Sequence, residues 1–295
     1  MKKIFGIRTT LFLAFAVTVL GIAPTLRAQS IAMEGETGIF TTPTAYTVAS
    51  PKMKFALPTI SYHYVDGGDV LGDFNYVSAT SGFDNRFEFG YTRSIHVLGD
   101  TANQTFRHLW TNGYNIFSGK GVIVKENSWN KQWVPNVAGG FIVRSQVKNV
   151  GGALRNQSTT DGDVYLAVSK VITELKPMPV LITGGVRGTD AALWGIAGNA
   201  TGWSYYAFGN VGFIFHGPLQ STVILGAEVS QQPQHIIGLP VADIRTTEAY
   251  AVRVLPSPKF KLNVDFGVLH GPETIAQGIN LKAGYRPVVG VSYAF

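Results

Sequence analysis

The sequence predicts an all-β protein: a transmembrane, antiparallel, up-and-down β-barrel of about 12 strands, with 10 or 14 strands as alternatives. Three observations lead to this prediction. The chain opens with an export signature, the rest of it alternates apolar and polar side chains in segments of about ten residues, and the connections between those segments are alternately short and long.

Composition excludes several classes of protein. Hydrophobic residues make up 45% of the 295 residues and charged residues only 14%, against roughly 25% in a typical soluble domain, which excludes a disordered chain. The chain has no cysteine, so disulfides, thiolate metal sites and cysteine nucleophiles are excluded as well.

Residues 1–28 are predicted to be a secretory signal peptide. Basic residues precede an apolar run at 11–23, and the small residue Ala28 precedes the predicted cleavage site. The apolar run is too short to cross a hydrocarbon core of about 30 Å as a helix. The signal peptide carries four of the 24 Lys and Arg residues, which leaves 20 of them against 18 Asp and Glu residues. No basic cluster with interleaved aromatic residues remains, so no nucleic-acid partner is expected.

Alternation with a period of two residues indicates β-strands. In the clearest example, at 259–269, one face carries Phe260, Leu262, Val264, Phe266 and Val268, and the other carries Lys261, Asn263, Asp265 and Gly267. Two architectures fit: a soluble β-sandwich or barrel with its apolar face inside, or a membrane barrel with its apolar face towards lipid. Segment length favours the membrane barrel, because soluble strands usually have about 5 or 6 residues and tilted membrane strands about 9 to 11.

The connections provide an independent indication. Those after strands 2, 4, 6, 8 and 10 are predicted to be short, at 82–85, 127–133, 175–179, 217–219 and 256–258, and those after strands 3, 5, 7, 9 and 11 to be long, at 95–117, 148–162, 188–202, 231–245 and 270–285. In outer-membrane barrels the short turns are periplasmic and the long loops external, so both termini are expected in the periplasm. Residues 29–51 are accordingly interpreted as a periplasmic N-terminal lead-in and 52–295 as the barrel.

The C-terminal residues 290–295 form an alternating strand that ends in an aromatic residue. This strand resembles the terminal strand of bacterial outer-membrane β-barrel proteins, with Val291, Tyr293 and Phe295 matching its pattern. The resemblance implies that these three residues are an assembly signal for the barrel-assembly machinery. It also implies export through the periplasm to the outer membrane, where the protein would contact lipid and lipopolysaccharide.

A second resemblance covers about a dozen residues near the start of the exported chain. The glycine-containing stretch 34–40 and the Pro-Thr-Ala sequence within 42–45 are similar to the opening of uncharacterised outer-membrane proteins, including those found with exopolysaccharide operons. A Gly- and Pro-rich lead-in to the first strand explains the same residues without a binding site.

The sequence predicts no catalytic, cofactor or metal site. Its six histidines are scattered, and neither a His-Glu-x-x-His run, a Gly-x-Ser-x-Gly elbow nor a phosphate-binding Gly-Lys-Ser/Thr loop occurs. A non-enzymatic protein without a cofactor is therefore expected.

The polar strand faces define a set of charges expected to point into the lumen: Arg86, Glu88, Arg144, Asp163, Arg187, Glu228, Arg253, Lys261 and Asp265. Five are positive and four negative. Such mixed charges fit either a constriction in a narrow channel or a closed, salt-bridged lumen. The stretch 101–110 has the spacing of a short amphipathic helix, which would form either a plug or part of a surface loop.

Two functions follow for such a barrel: a porin-like passive channel for small solutes, or a closed structural barrel of the cell envelope. An alternative is a surface-interaction or polysaccharide-export-associated barrel that acts through its external loops. A third possibility is a secreted, soluble, glycan-binding β-sandwich. The sequence does not indicate the solute or the oligomeric state.

Overall fold

The computed structural model describes residues 31–99, 113–147, 160–175, 178–191, 199–232, 246–256, 260–271, 274–275, 279–280, 282 and 284–295. The predicted signal peptide and the predicted helix at 101–110 lie outside the described residues.

Twelve antiparallel strands close into one barrel, which confirms the predicted fold class and strand number. In chain order they are β1 (Thr59–Asp66), β2 (Asp73–Phe83), β3 (Phe87–Val97), β4 (Tyr114–Val124), β5 (Asn136–Gln146), β6 (Thr160–Ile172), β7 (Val180–Ala191), β8 (Asn199–His216), β9 (Thr222–Ser230), β10 (Thr247–Leu255), β11 (Leu262–His270) and β14 (Tyr285–Ala294). Each pairs with its neighbours in sequence, and β1 pairs with β14 to close the barrel. Two short strands, β12 (Thr274–Ile275) and β13 (Ile279–Asn280), form a separate antiparallel pair.

Helical structure is confined to connections in the part of the chain that the structure describes. A four-residue helix, α1 (Gly68–Leu71), joins β1 to β2, and single 3-10 turns occupy Ser128–Asn130 and Pro218–Gln220. No helix among these residues is long and apolar enough to cross a membrane.

The barrel has an apolar outer face and a largely polar inner face. On β1, Ile60 and Tyr62 point outwards and are exposed, whereas Thr59, Ser61 and His63 point inwards and are buried. Aromatic and branched aliphatic side chains occupy outward positions on the other strands too. A soluble protein would bury these groups, and a bilayer would solvate them, so the observed polarity is that of a membrane barrel and contradicts the soluble β-sandwich.

The two ends of the barrel differ in their connections. The strand ends joined by 84–86, 125–135, 173–179, 217–221 and 256–261 form one end of the barrel, here called the turn end, and the strand ends joined by 67–72, 98–113, 147–159, 192–198, 231–246 and 271–284 form the other, the loop end. The connection between β7 and β8 is shorter than predicted, because both strands extend into the expected loop.

Residues 31–50, here called the inner segment, lie inside the barrel. Most of their side chains are buried, and they contact strands on several sides of the lumen. The interpretation of 29–51 as a lead-in outside the barrel therefore does not fit the described part of this range. The physical reason is that the inward polar side chains of the strands bind the exposed backbone of this segment, as shown below.

Candidate functional site

The inner segment is folded on itself by backbone hydrogen bonds. The Met33 N–H donates to the Phe40 carbonyl at 2.9 Å, and the Thr44 N–H donates to the Thr37 carbonyl at 2.9 Å. Gly35 has φ of 95°, which favours glycine, and a Cβ atom built there would lie 2.4 Å from Oγ1 of Thr92 on the barrel wall. The small residues of this segment thus allow its backbone to approach the wall closely.

Glu88 and Lys120 hold one side of the inner segment. Glu88 accepts hydrogen bonds from the Thr37 N–H at 2.8 Å, from the Val48 N–H at 2.7 Å and from the Thr37 hydroxyl. Lys120 Nζ lies 3.3 Å from Glu88 Oε1 and donates to the carbonyls of Thr37 and Thr44, both at 3.0 Å. Both charged side chains are buried, and each satisfies backbone groups that would otherwise lack a partner.

Glu228 holds the opposite turn of the inner segment. Its carboxylate accepts the backbone N–H groups of Phe40, Thr41 and Thr42 at 3.2, 2.8 and 3.1 Å. It also accepts the hydroxyls of Thr41 and Thr42 at 2.7 and 2.6 Å. Asn210, its neighbour on β8, donates to the Thr42 hydroxyl at 2.9 Å. Successive N–H groups that converge on one carboxylate form an anion-binding nest, here contributed by the segment and filled by the wall.

An ion cluster centred on Arg144 lies towards the loop end. Arg144 pairs with Glu34 of the inner segment at 2.5 Å, and with Asp161 and Asp163 of β6 at 3.0 and 2.7 Å. Arg187 lies 3.6 Å from Asp163 and donates to a carbonyl of the segment. The guanidinium of Arg144 thus joins the segment to two strands, and its burial is offset by three carboxylates.

Arg253 and Asp265 form a further buried pair on adjacent strands, with Arg253 Nε 2.5 Å from Asp265 Oδ1. Arg253 also donates to the carbonyls of Gly38 and Ile39 at 3.4 and 3.3 Å. The imidazole of His63 lies 3.8 Å from Asp265 on the other side.

Ser169, Asn136 and Glu126 hold the part of the segment nearer the turn end. The Ala45 N–H donates to Ser169 Oγ at 2.8 Å, and Asn136 donates to the Ala45 carbonyl at 2.5 Å. The Tyr46 hydroxyl donates to Glu126, in the connection between β4 and β5, at 2.9 Å. Apolar packing adds to these bonds, because Met33, Ile39, Phe40 and Ala45 belong to a buried cluster completed by inward residues such as Tyr114, Ile142 and Tyr165.

The chain leaves the lumen at the turn end and then enters β1. The Ser50 N–H donates to Asn85 at 2.9 Å, and the Asn85 N–H donates to Ser50 at 2.7 Å. The Met53 N–H donates to Asp84 in the same turn at 2.9 Å. These bonds fix the point at which the inner segment joins the barrel.

Glu36 is the one buried carboxyl of the inner segment for which the structure gives no hydrogen bond to either side-chain oxygen, among the residues described. Burial and, to a smaller extent, the nearby carboxylate of Glu34 raise its pKa to about 8, against the opposing charges of Lys120 and Arg187. Glu36 is therefore predominantly protonated at neutral pH in the docked segment.

The charged residues expected in the lumen do not all lie there. Glu88, Arg144, Asp163, Arg187, Glu228, Arg253 and Asp265 face the interior, where they contact the inner segment or one another. Arg86 and Lys261 do not, and this corrects the expectation for them. Arg86 lies in the turn before β3 and Lys261 just before β11, so both are exposed at the turn end, beyond the alternation of the strands.

Other inward groups were not among the expected residues. Lys120 and Asp161 lie at inward positions of β4 and β6, and the alternation of those strands was a signal that could have identified them. Glu34 and Glu36 carried no such signal, because the segment that bears them is not a strand. Val291, Tyr293 and Phe295, the expected assembly signal, lie exposed on the outer face of the barrel end.

A cavity of about 120 Å³ lies between the inner segment and the loop end. Glu34, Thr41 and Arg187 contribute to its polar lining, and Phe74 and Leu269 to its apolar lining. Within the described ranges, no group of three or more His, Asp or Glu residues could hold a metal ion.

Comparison with solved structures gives matches that are remote in sequence. The chain is similar to the KdgM porin, with 14% identity over 80% of this chain and 99% of that chain and a TM-score of 0.43. It is also similar to the NanC porin, with 10% identity over 81% and 98% and a TM-score of 0.47. The COG4313 outer membrane channel from Pseudomonas putida F1 gives 11% identity over 84% and 97% and a TM-score of 0.44.

A search of curated proteins finds no match. The model of one protein family, described as "Protein of unknown function (DUF3034)", matches residues 31–252, a range that begins with the inner segment and extends into β10. The chain therefore belongs to the DUF3034 family.

Proposed function

We propose that this protein is a bacterial outer-membrane channel for small polar solutes and that the inner segment closes it at rest. The apolar outer face supports residence in a membrane, and the closed all-β architecture is the one that outer membranes hold. The single observation that carries the proposal is the inner segment. It occupies the lumen, yet apart from its chain connection to β1 it is attached to the wall only through hydrogen bonds, ion pairs and side-chain packing.

The chemistry of the wall supports a lumen that water can fill. Once the inner segment leaves, five charged side chains of the wall would face solvent: Glu88, Lys120, Arg144, Glu228 and Arg253. Water would solvate each of these charges. Because the segment is continuous with β1 at the turn end, it can move out in that direction while the strand pairing stays intact.

A closed structural barrel is the second candidate, and the five hydrogen bonds that Glu228 accepts from the inner segment favour it. If the inner segment never left, it would fill the barrel interior permanently, as side chains fill the core of a soluble protein. The two candidates differ in one measurable property, which is ion conductance after the segment has been displaced.

The test uses a full-length wedge variant, Gly35→Val/Gly38→Val. A side chain at position 35 would meet Thr92 of the wall, and one at position 38 would lie 2.4 Å from the Thr42 carbonyl oxygen. The matched control is Gly184→Val on the outer face of β7, where an added Cβ meets nothing within 4 Å.

Single-channel recording in planar bilayers is the measurement. We expect discrete conductance steps from the wedge variant, and only rare steps from the natural protein and from the control. The wedge protein must be folded and inserted, and cysteine labelling at an Ala45→Cys site must show that its inner segment is accessible. If such protein gives no conductance steps, the channel is refuted and the structural barrel is supported.

A further inference from the structure

We infer that Glu228 makes the opened lumen selective for cations. This inference deepens the proposed channel function and depends on it. The residue would have two roles: in the closed state it binds the inner segment, and in the open state it presents an uncompensated negative charge to passing ions.

The four basic residues of the wall that contact the inner segment all have carboxylate partners on the wall itself. Lys120 lies 3.3 Å from Glu88, and Arg253 lies 2.5 Å from Asp265. Arg144 pairs with Asp161 and Asp163, and Arg187 lies 3.6 Å from the latter. None of these pairs involves the inner segment, so departure of the segment leaves them in place. Arg144 loses Glu34 but keeps two carboxylates.

Glu228 differs from the other inward carboxylates. Over the part of the chain that the structure describes, no Lys, Arg or His lies within ion-pair distance of it. Its hydrogen-bond donors are the backbone and hydroxyl groups of residues 40–42. Its direct neighbours on the adjacent strands, Asn210 and Ala249, are neutral. When the segment departs, this carboxylate loses its partners and acquires none from the wall.

The other charges that contact the inner segment do not offset Glu228. The wall charges that contact the inner segment or pair with one another are five carboxylates (Glu88, Asp161, Asp163, Glu228 and Asp265) and four basic groups (Lys120, Arg144, Arg187 and Arg253). Arg286, at an inward position of β14, lies apart from this set, at the loop end beside Gly68. Within the set around the segment the pairs cancel approximately, and Glu228 is left over. A fixed carboxylate in a narrow lumen attracts cations and repels anions, because the low-dielectric wall focuses its field into the pore.

The experiment measures the reversal potential of the wedge variant in a tenfold KCl gradient, with and without Glu228→Gln. We expect potassium to permeate better than chloride in the wedge variant. The Gln substitution should lower the permeability ratio by about sevenfold, because one unit charge acting across roughly 7 Å of water favours the cation and disfavours the anion by a factor of about three each. Glu228→Asp, which keeps the charge, should retain the preference.

The matched control is Glu248→Gln. Glu248 lies on the neighbouring strand β10, pairs in register with Val229 and belongs to the outward-facing set, where it accepts a hydrogen bond from Tyr250. Glu248→Gln makes the same chemical change outside the lumen, so the reversal potential should stay unchanged.

The outcomes separate the two proposals. A conducting wedge variant that prefers chloride, or whose selectivity is unchanged by Glu228→Gln, overturns the role of Glu228 and leaves the channel function standing. A folded, inserted wedge variant with a displaced segment and no conductance overturns the channel function and the inference together. Cation preference that falls with Gln and persists with Asp supports both.

Discussion

Thr42 donates its backbone N–H and its hydroxyl to the same oxygen of Glu228, at 3.1 and 2.6 Å, although the two residues are 186 positions apart in the chain. This contact joins the inner segment to the carboxylate of Glu228 on β9. It couples the occupancy of the lumen to one carboxylate, so changes on either side of the contact should alter docking of the segment without altering strand pairing.

Thr42→Val should loosen the inner segment. Valine keeps the shape of threonine but removes the hydroxyl that bonds Glu228 and accepts from Asn210. Leaving a buried amide donor unpaired costs about 1–3 kcal/mol. The rate of maleimide labelling at an Ala45→Cys site should therefore rise about tenfold or more, since the natural chain has no competing cysteine. Thr160→Val, at an exposed position, is the control; equal labelling rates in the two variants would contradict the prediction.

Glu88→Gln should destabilise the whole closed state. The change leaves Lys120 buried beside a neutral group and weakens the acceptor for the Thr37 and Val48 N–H groups. Breaking a buried ion pair from one side costs about 3–5 kcal/mol. We expect a lower temperature for loss of the folded band in unheated gel electrophoresis. Glu88→Gln/Lys120→Met should recover part of the loss, and a double variant less stable than the single one would count against the pair as the cause.

Docking of the inner segment should weaken as pH rises. Because burial raises the pKa of Glu36 from 4.5 to about 8, the docked segment binds a proton that the released segment gives up above pH 4.5. The favourable contribution is therefore fully present below about pH 4.5 and declines as the pH rises towards 8. Cysteine labelling at position 45 should accelerate between pH 5 and 8, after correction for thiolate formation with a model thiol. Glu36→Gln should flatten this dependence, and an equally steep profile in that variant would assign it to another group.

The sequence was sufficient to predict the barrel but did not predict that the inner segment lies inside it. The strands were visible because each repeats a period-two pattern that depends only on which face meets lipid, as in Phe87 and Phe89 outside against Glu88 inside. The inner segment has no such period. Its conformation is set by carboxylates 40 or more residues away, which cannot be identified from the sequence of the segment itself. Arg86 and Lys261 were misplaced because strand boundaries are the least certain part of a periodic pattern.

Phe295→Ala should reduce assembly and leave the stability of assembled barrels nearly unchanged. The ring is exposed on the outer face and packs edge-on against Tyr293 at 5.0 Å, so it contributes little to the interior. If the terminal aromatic residue is read by the assembly machinery, the folded fraction in membranes should fall several-fold in cells, whereas refolding into detergent in vitro should proceed as before. Equal losses in cells and in vitro would show that the ring acts through stability.

A disulfide between the inner segment and the wall should hold the channel closed. The Ala45 N–H lies 2.8 Å from Ser169 Oγ, so the two residues are in direct contact on the segment and on β6. When Ala45→Cys/Ser169→Cys is combined with the wedge substitutions Gly35→Val/Gly38→Val, oxidation should abolish the conductance steps and a reductant should restore them, because the cross-link prevents the segment from leaving. The single-cysteine variants, treated with the same oxidant, control for modification of one thiol. If oxidised, cross-linked protein still conducts, then ions pass beside the docked segment, and closure of the lumen by residues 31–50 is refuted.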